Sequence, residues 1–407
     1  MKYRIDQLAE IIDGDRGPNY PKQDEFYKSG YCLFLNTGNV TCDGLSFESN
    51  QFITREKDSV LRKGRLIRGD IVYTTRGTVG YAGFYSESVP FANIRINSGM
   101  VILRCNKQIV DAQFLYQLLR SQHYRPYFRQ YCTGSAQPQL PIKTLSTILL
   151  DIPGKDVQTR IASILSAYDS LIETNQHQIK LLEEAAQRLY REWFVDLRFP
   201  GHEDVPVVDG VPEGWKVDRA DCFFDISIGK TPPRAEKQWF VDGGDGIPWV
   251  SISDMGDSGT FIFETSEGLT REAIERYNVK VVPTGTIFVS FKLTVGRVSI
   301  ATVPMCTNEA IAHFRIDDPI LREYTFSYLR SFEYDELGNT SSISKAVNSK
   351  IIKALRFIMP DTQTLEAYSK RVAPVFDEIF SLQALNQRLS EARDRLLPKL
   401  MSGEIAV

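Results

Sequence analysis

Between Asp156 and Leu197 the chain carries neither proline nor glycine, and its apolar residues keep helical spacing throughout. They fall at Val157, Ile161, Ile164, Tyr168 and Leu171, then at Ile179, Leu182, Ala186, Leu189 and Trp193, with one double step of four around Asn175. Intervals alternating between three and four make a seam, and a seam requires a partner helix. At 1.5 Å per residue, ~40 residues form a rod of roughly 60 Å, longer than a small domain is wide. So long a striped helix is not expected to lie on one globular core.

The partner lies at the other end of the sequence. Gln363 to Met401 carries its own stripe at Val372, Val375, Ile379, Leu382, Leu389, Leu396 and Leu400. Pro374 falls inside that run and is expected to kink it or to mark where its regular part begins.

The rest of the chain repeats itself in the same order. Tyr3-Arg4-Ile5-Asp6 corresponds to Trp215-Lys216-Val217-Asp218, Thr78-Val79-Gly80 to Thr294-Val295-Gly296, Gly69 to Gly285 and Asn93 to Asn308. Leu119-Arg120-Ser121 returns as Leu329-Arg330-Ser331, Thr133-Gly134-Ser135 as Thr340-Ser341-Ser342, and Leu145 to Pro153 as Ile352 to Pro360. The long helices share the pattern, with Gln158-Thr159 matching Gln363-Thr364, and Glu184, Ala185, Arg188 and Leu189 matching Glu391, Ala392, Arg395 and Leu396. A collinear series of this kind means a tandem duplication.

The expected fold class is therefore α+β, with two related globular units at 1–155 and 199–361 and two long helices at 156–198 and 362–407. The helices are expected to pair antiparallel, giving a pseudo-twofold dumbbell. Within the first unit, Ile67 to Thr75, Gly99 to Cys105 and Thr147 to Ile152 read as strands. Asp111 reads as the N-cap of a helix over Phe114 to Ser121, and Thr133 to Gln139 as a polar loop.

Composition places this architecture inside the cell. The 407 residues are 43% hydrophobic and 24% charged, an ordinary globular balance. No apolar run approaches the ~20 residues of a membrane span, and Met1 to Glu10 is too charged for a signal-peptide core. A cytoplasmic protein is expected. Six cysteines and four histidines are scattered without metal-ligand spacing, so reduced thiols and no structural zinc are expected. The net charge of −3 hides a division: residues 1–156 carry 20 basic against 15 acidic side chains, and residues 202–361 carry 17 against 24. If the chain binds nucleic acid, something else must supply part of the positive field.

Chemistry of its own is not expected. Gly229-Lys230-Thr231 resembles the end of a phosphate-binding loop, but the earlier glycine would fall at Phe224. Pro232-Pro233 follows Thr231 and precedes Arg234, which is not the Asp/Asn-Pro-Pro-aromatic pattern of an amino-methyltransferase. No dinucleotide-binding glycine motif lies at a strand-to-helix junction, and no His or Cys is placed as a nucleophile pair.

The repeated order of globular region, polar loop, apolar strand, proline and long helix resembles the specificity subunit of type I restriction-modification systems. So do Gly210-Val211-Pro212-Glu213-Gly214-Trp215, which leads into the second unit, and the ending Leu396-Leu397-Pro398-Lys399-Leu400-Met401-Ser402-Gly403-Glu404-Ile405. The resemblance spans essentially the whole chain. It implies two target recognition domains, each reading half of a split double-stranded DNA sequence, and helices that set the gap and dock two methyltransferase subunits. It also implies motor-nuclease subunits, no cofactor on this chain, and S-adenosylmethionine, ATP and Mg on the partners.

Base readout calls for Arg, Lys, Asn, Gln, Ser or Thr on loops and strand ends. In the first unit these are Arg76, Thr78, Ser135 and Gln137, with Arg62, Lys63, Arg65 and Arg68 as a phosphate-contacting cluster. In the second they are Lys230, Thr231, Arg234, Lys292, Thr294, Ser342 and Lys345. Loop charges are also simply solvated, and repeated Gly and Thr can serve only to shape the turn. Trp193 and Phe194 read either as core where helix meets domain or as contacts for a partner subunit. A competing class is a coiled-coil scaffold whose globular ends bind protein.

Overall fold

A computed structural model describes residues 1–42, 44–121, 123–134, 138–334 and 348–407. The chain divides into two compact units, Met1–Ile172 with Arg388–Val407, and Glu173–Gln387. Each holds one globular α+β body and one part of each of the two long helices, Lys155–Tyr190 and Thr362–Ser402.

In the first unit four antiparallel strands lie in the order Ala9–Asp13, Met100–Cys105, Ile71–Thr74, Ala82–Phe84. Alternation sends Ile71, Tyr73, Val101 and Leu103 into the core beneath the helix Ala112–Arg120, and Val72, Met100 and Ile102 into a second core on the other face. Strands buried on both faces read as continuous apolar runs, which is why they are legible in the sequence. The strand expected from Ile67 starts only at Ile71. Before it, the Asp70 carboxylate accepts from Ile67 N at 2.8 Å and Gly69 takes φ 90°, making a turn. The strand expected from Thr147 is likewise shorter, Leu149–Asp151, because Ile142–Thr147 is helical. Asp111 caps its helix as expected, accepting from Phe114 N at 3.0 Å.

The second unit follows the same plan. Its main sheet runs Asp225–Ile228, Ile311–Arg315, Ile287–Ser290, Val298–Ala301, with Phe261–Ile262 added parallel at the edge. The smaller sheets agree too: Phe52–Ile53, Cys32–Leu35, Ile94–Ile96 in the first unit and Glu267–Leu269, Ile247–Val250, Cys306–Thr307 in the second, where Phe240–Asp242 adds a fourth strand beside Glu267–Leu269. In both, the last two strands pair parallel. Duplication is thus written in the hydrogen-bond ladders.

Those ladders correct two of the sequence correspondences. Arg4 pairs with Leu149, and Ile5 N donates to Ile148 O; the counterparts are Arg219 with Arg356, and Ala220 N to Leu355 O. Tyr3 therefore corresponds to Asp218, three residues beyond Trp215. Trp215 instead donates its indole N–H to Asp361, whose carboxylate also accepts from Thr364 N at the start of the C-terminal helix. Asn308 corresponds to Asn97 rather than Asn93. Asn97 N donates to Leu35 O and Asn308 N to Val250 O, and each side chain accepts from the backbone two residues on.

The long helices run antiparallel within each unit. In the second, Asn175 contacts Asn386 while Trp193 packs on Tyr368. In the first, Asp169 meets Arg393, and nearer the helix start Ile161 and Leu165 share a core with Leu397 and Leu400. The seam is not quite the expected one. Ile172 is buried where Leu171 is exposed, and Asn175 is itself buried, so the double step expected around Asn175 does not occur. Pro374 has no N–H for the Lys370 carbonyl, yet regular helix precedes it from Thr362, so it does not mark where the helix begins. The first helix ends in a wide π turn at Arg191–Val195, with Asp196 N donating to Arg191 O at 2.8 Å.

Candidate nucleic-acid interface

In each unit one end of the main sheet gathers three chain segments. In the first these follow Asp13 and Thr74 and precede Met100; in the second they follow Ile228 and Ser290 and precede Ile311. The crossing is tight in both. A Cβ on Gly14 would sit 2.3 Å from Asn97 O, and one on Gly229 would sit 2.0 Å from Thr307 Oγ1 and 2.1 Å from Asn308 O. Only glycine lets the first segment pass so close to the third.

The turn after the central strand is built the same way twice. Thr74 Oγ1 donates to Thr78 O, Gly80 N donates to Thr74 O at 3.1 Å, and Tyr81 N donates to Thr74 Oγ1 at 2.9 Å. In the second unit Ser290 Oγ donates to Thr294 O at 2.6 Å, Gly296 N to Ser290 O at 2.9 Å, and Arg297 N to Ser290 Oγ at 3.0 Å. The hydroxyl of Thr74 or Ser290 and the repeated glycine therefore fix the shape of the turn, to which the repeated threonine lends only its carbonyl. What differs is the tip before that threonine, Arg76-Gly77 against Lys292-Leu293.

Arg76 stands at this edge beside Gln139, and among the described residues its guanidinium makes no hydrogen bond or ion pair. Thr133 and Gln139 close the polar loop by exchanging backbone bonds of 2.8 and 2.9 Å. Ser135 and Gln137, and in the second unit Ser342 and Lys345, lie outside the described residues.

The basic cluster splits by role. Arg62 is 72% exposed, only 4.0 Å from Asp15, and Lys63 is exposed beside it. Burial pushes the Asp15 carboxyl up, but the Gly17 and Arg62 N–H groups and the Arg62 charge outweigh it and hold it below the usual range. Arg65 is half-exposed and held by Asn93 at 2.8 Å and Asp58 at 3.4 Å. Arg68 is not available as a phosphate contact: its guanidinium donates to Ser86 O and Val89 O and lies 4.2 Å from the Tyr85 ring centre. Arg16, unremarked in the sequence, joins the same edge, pairing with Asp13 at 3.1 Å and donating to Ser98 O at 3.2 Å.

In the second unit Lys230 is exposed and Thr231 donates to Glu309. That hydroxyl holds the Glu309 carboxyl below the usual range against partial burial, with Lys292 and Arg234 adding to it. Glu309, also missed in the sequence, is an ionised acceptor of the kind that can take a cytosine amino group. Arg234 is committed internally, its Nη1 donating to both Glu267 oxygens at 2.9 and 2.7 Å and its guanidinium lying over the Phe240 and Trp249 rings. Lys292 lies 5.6 Å from the Phe291 ring centre, and Thr294 is exposed. Between them Leu293 is 90% exposed with φ 64°.

Trp193 and Phe194 are 5% and 7% exposed, packed with Tyr368, Tyr324 and Trp215 in the core of the second unit. So placed, they offer a partner almost no surface. Among the described residues no cluster of His, Cys, Asp and Glu could hold a metal ion, and no helix is long and apolar enough to cross a membrane.

The family described as type I restriction modification DNA specificity domain matches residues 1–184 and 212–391. The chain is 26% identical over 465 residues to the type I restriction enzyme HindI specificity subunit of Haemophilus influenzae, covering 96% of this chain and 98% of that protein. It is 27% identical over 357 residues to the MjaIX specificity subunit of Methanocaldococcus jannaschii, covering 84% and 78%. In fold it is similar to the crystal structure of a type I restriction-modification S subunit from M. genitalium, with TM-score 0.54, 15% identity and coverage of 98% and 96%.

Proposed function

Since the chain belongs to the family of type I restriction-modification DNA specificity proteins, we propose that it selects the DNA sequence on which a type I complex acts. Each globular body reads one half of a bipartite target, and the paired helices set the gap between the halves. Catalysis, with S-adenosylmethionine, ATP and Mg, belongs to methyltransferase and motor-nuclease partners. One observation carries this reading. The two bodies repeat the same ladders and the same turn, yet present different residues at the tip before a shared threonine, Arg76-Gly77 and Lys292-Leu293. A shared frame with altered tips is what two readers of different half-sites require.

The helices suit docking as well as spacing. Leu171, Leu181 and Leu385 point apolar surface outward from them, and exposed apolar residues on a stiff element are a natural seat for partner subunits. Partners bound there would also supply positive field to the acidic second body.

The test is methylome sequencing of a strain expressing the chain with its methyltransferase. Deleting the chain should abolish a bipartite methylated motif, and exchanging residues 1–150 should change one half only. Inserting one heptad into both helices together should lengthen the gap and leave both half-sites intact. An unchanged gap would remove the spacing role, and an unchanged methylome on deletion would favour a protein-binding scaffold.

A further inference from the structure

We propose that Leu293 reads a thymine: its side chain meets the 5-methyl group of one thymine in the half-site taken by the second body. The inference rests on the function proposed above and names one contact within it. Leu293 is 90% exposed, more than any other large hydrophobic residue among those described. It also holds φ 64°, a left-handed conformation that a branched side chain adopts only against its preference. The sister turn solves the same geometry with Gly77 at φ 69°. Leucine therefore stands where glycine would serve the fold, and it faces water.

The turn beneath it is stiff. Ser290 fastens Thr294, Gly296 and Arg297 through its hydroxyl and carbonyl, so the side chain is presented on a fixed base. Its neighbours are Lys292 on one side and Thr294 on the other, with exposed Lys230 and ionised Glu309 on the adjoining segments of the same sheet end. One apolar contact among donors and acceptors matches the major-groove edge of an A·T pair, where a single methyl stands among polar atoms. A leucine wedge would instead part stacked bases from the minor groove, an outcome that base fluorescence tells apart from a methyl contact.

The experiment uses the chain assembled with its methyltransferase subunits, on duplexes carrying the motif found by methylome sequencing. Each thymine of the second half-site, on either strand, is replaced in turn by deoxyuridine, which lacks only the methyl. One replacement should weaken wild-type binding about fourfold, the value of ~0.8 kcal/mol for one buried carbon. Leu293→Gly should bind the thymine and deoxyuridine duplexes equally, and its melting temperature should not fall. A flat deoxyuridine series in wild type, or an undiminished penalty in Leu293→Gly, overturns the proposal. So does 2-aminopurine fluorescence that rises on binding wild type but not Leu293→Gly, since that marks a wedge. Should the wild-type complex show no sequence preference at all, the fault lies with the function proposed above; a preference with a flat series condemns the Leu293 contact alone.

Discussion

Asn175 donates a hydrogen bond from Nδ2 to Oδ1 of Asn386 at 2.8 Å, across the seam between the two long helices. An amide pair among apolar seam residues costs stability and fixes alignment, because a slipped register would leave both amides unpaired.

Replacing one partner should therefore hurt more than replacing both. Asn175→Leu leaves the Asn386 amide without its partner and should cost about 1–3 kcal/mol. Asn175→Leu with Asn386→Leu should recover most of that loss or exceed wild type. Urea unfolding of the three variants gives the coupling; simple additivity would show that the amides act independently.

Asp169 ties the first body to both helices in its unit. It accepts from Gln117, from Arg120 at 3.0 Å and from Arg393 at 2.8 Å, and both arginines are buried. Asp169→Ala removes an acceptor that both buried guanidinium groups share, while Arg393 keeps Asp394, and should cost about 1–3 kcal/mol. Removing Asp6, whose pairing with Arg4 is exposed, should change stability by less than ~0.5 kcal/mol. Denaturation midpoints decide between these; equal effects would mean Asp169 is no more than a surface ion pair.

Arg62 and Arg68 should separate binding from folding. Arg62→Ala is expected to leave the melting temperature unchanged and to reduce the slope of log affinity against log salt by about one, as loss of one phosphate contact does. Arg68→Ala should lower the melting temperature, since three neighbouring groups lose their partner, and leave the salt slope alone. The opposite pattern would place Arg68 on the DNA.

His313 predicts a pH dependence. Burial, with the Lys280 charge assisting, depresses its pKa to about 3, while its ring bonds Ser227 at 3.1 Å and Thr307 at 2.7 Å. The unfolded chain takes up a proton below pH ~6.5 that the folded chain refuses. Stability conferred by the neutral ring is thus complete above pH ~6.5 and is lost as pH falls toward 3, by up to ~1.4 kcal/mol per unit. The difference in urea midpoint between wild type and His313→Gln should change with this sign between pH 4 and 7. A constant difference would show that His313 keeps its ordinary pKa.

Much of this architecture was legible because it is apolar and periodic. The strands around Ile71–Thr74 and Ile287–Ser290, the cap at Asp111 and the long helices all announce themselves through spacing. The errors occurred where a polar residue does an apolar residue's job. Asn175 looked like a break in the seam and is part of it, and Leu171 filled the gap on paper only. The correspondence at the start of the second unit slipped by three residues, because the aromatic match of Tyr3 with Trp215 outweighed a backbone ladder that side-chain identity does not record. Arg68 and Arg234 looked like free charges, because carbonyl and ring partners distant in sequence are invisible before folding. Leu293 carried a readable signal in its alignment with Gly77, but a leucine between two polar residues does not suggest nucleic acid until its exposure is seen.

The π turn at Arg191–Val195 bears on how such a protein can change. In a regular helix consecutive side chains diverge by ~100°, whereas the wide turn lets neighbours Trp193 and Phe194 both sink inward, clamped by Tyr324 and Tyr368. That aromatic stop, with Glu183 on Thr260 and Arg330 and Gln187 on Ser331, makes the last turns of the helix one piece with the second body. A change of helix length made before those turns then leaves the packing of that body intact, so helix length and the residues at the tip of the body can change as separate traits.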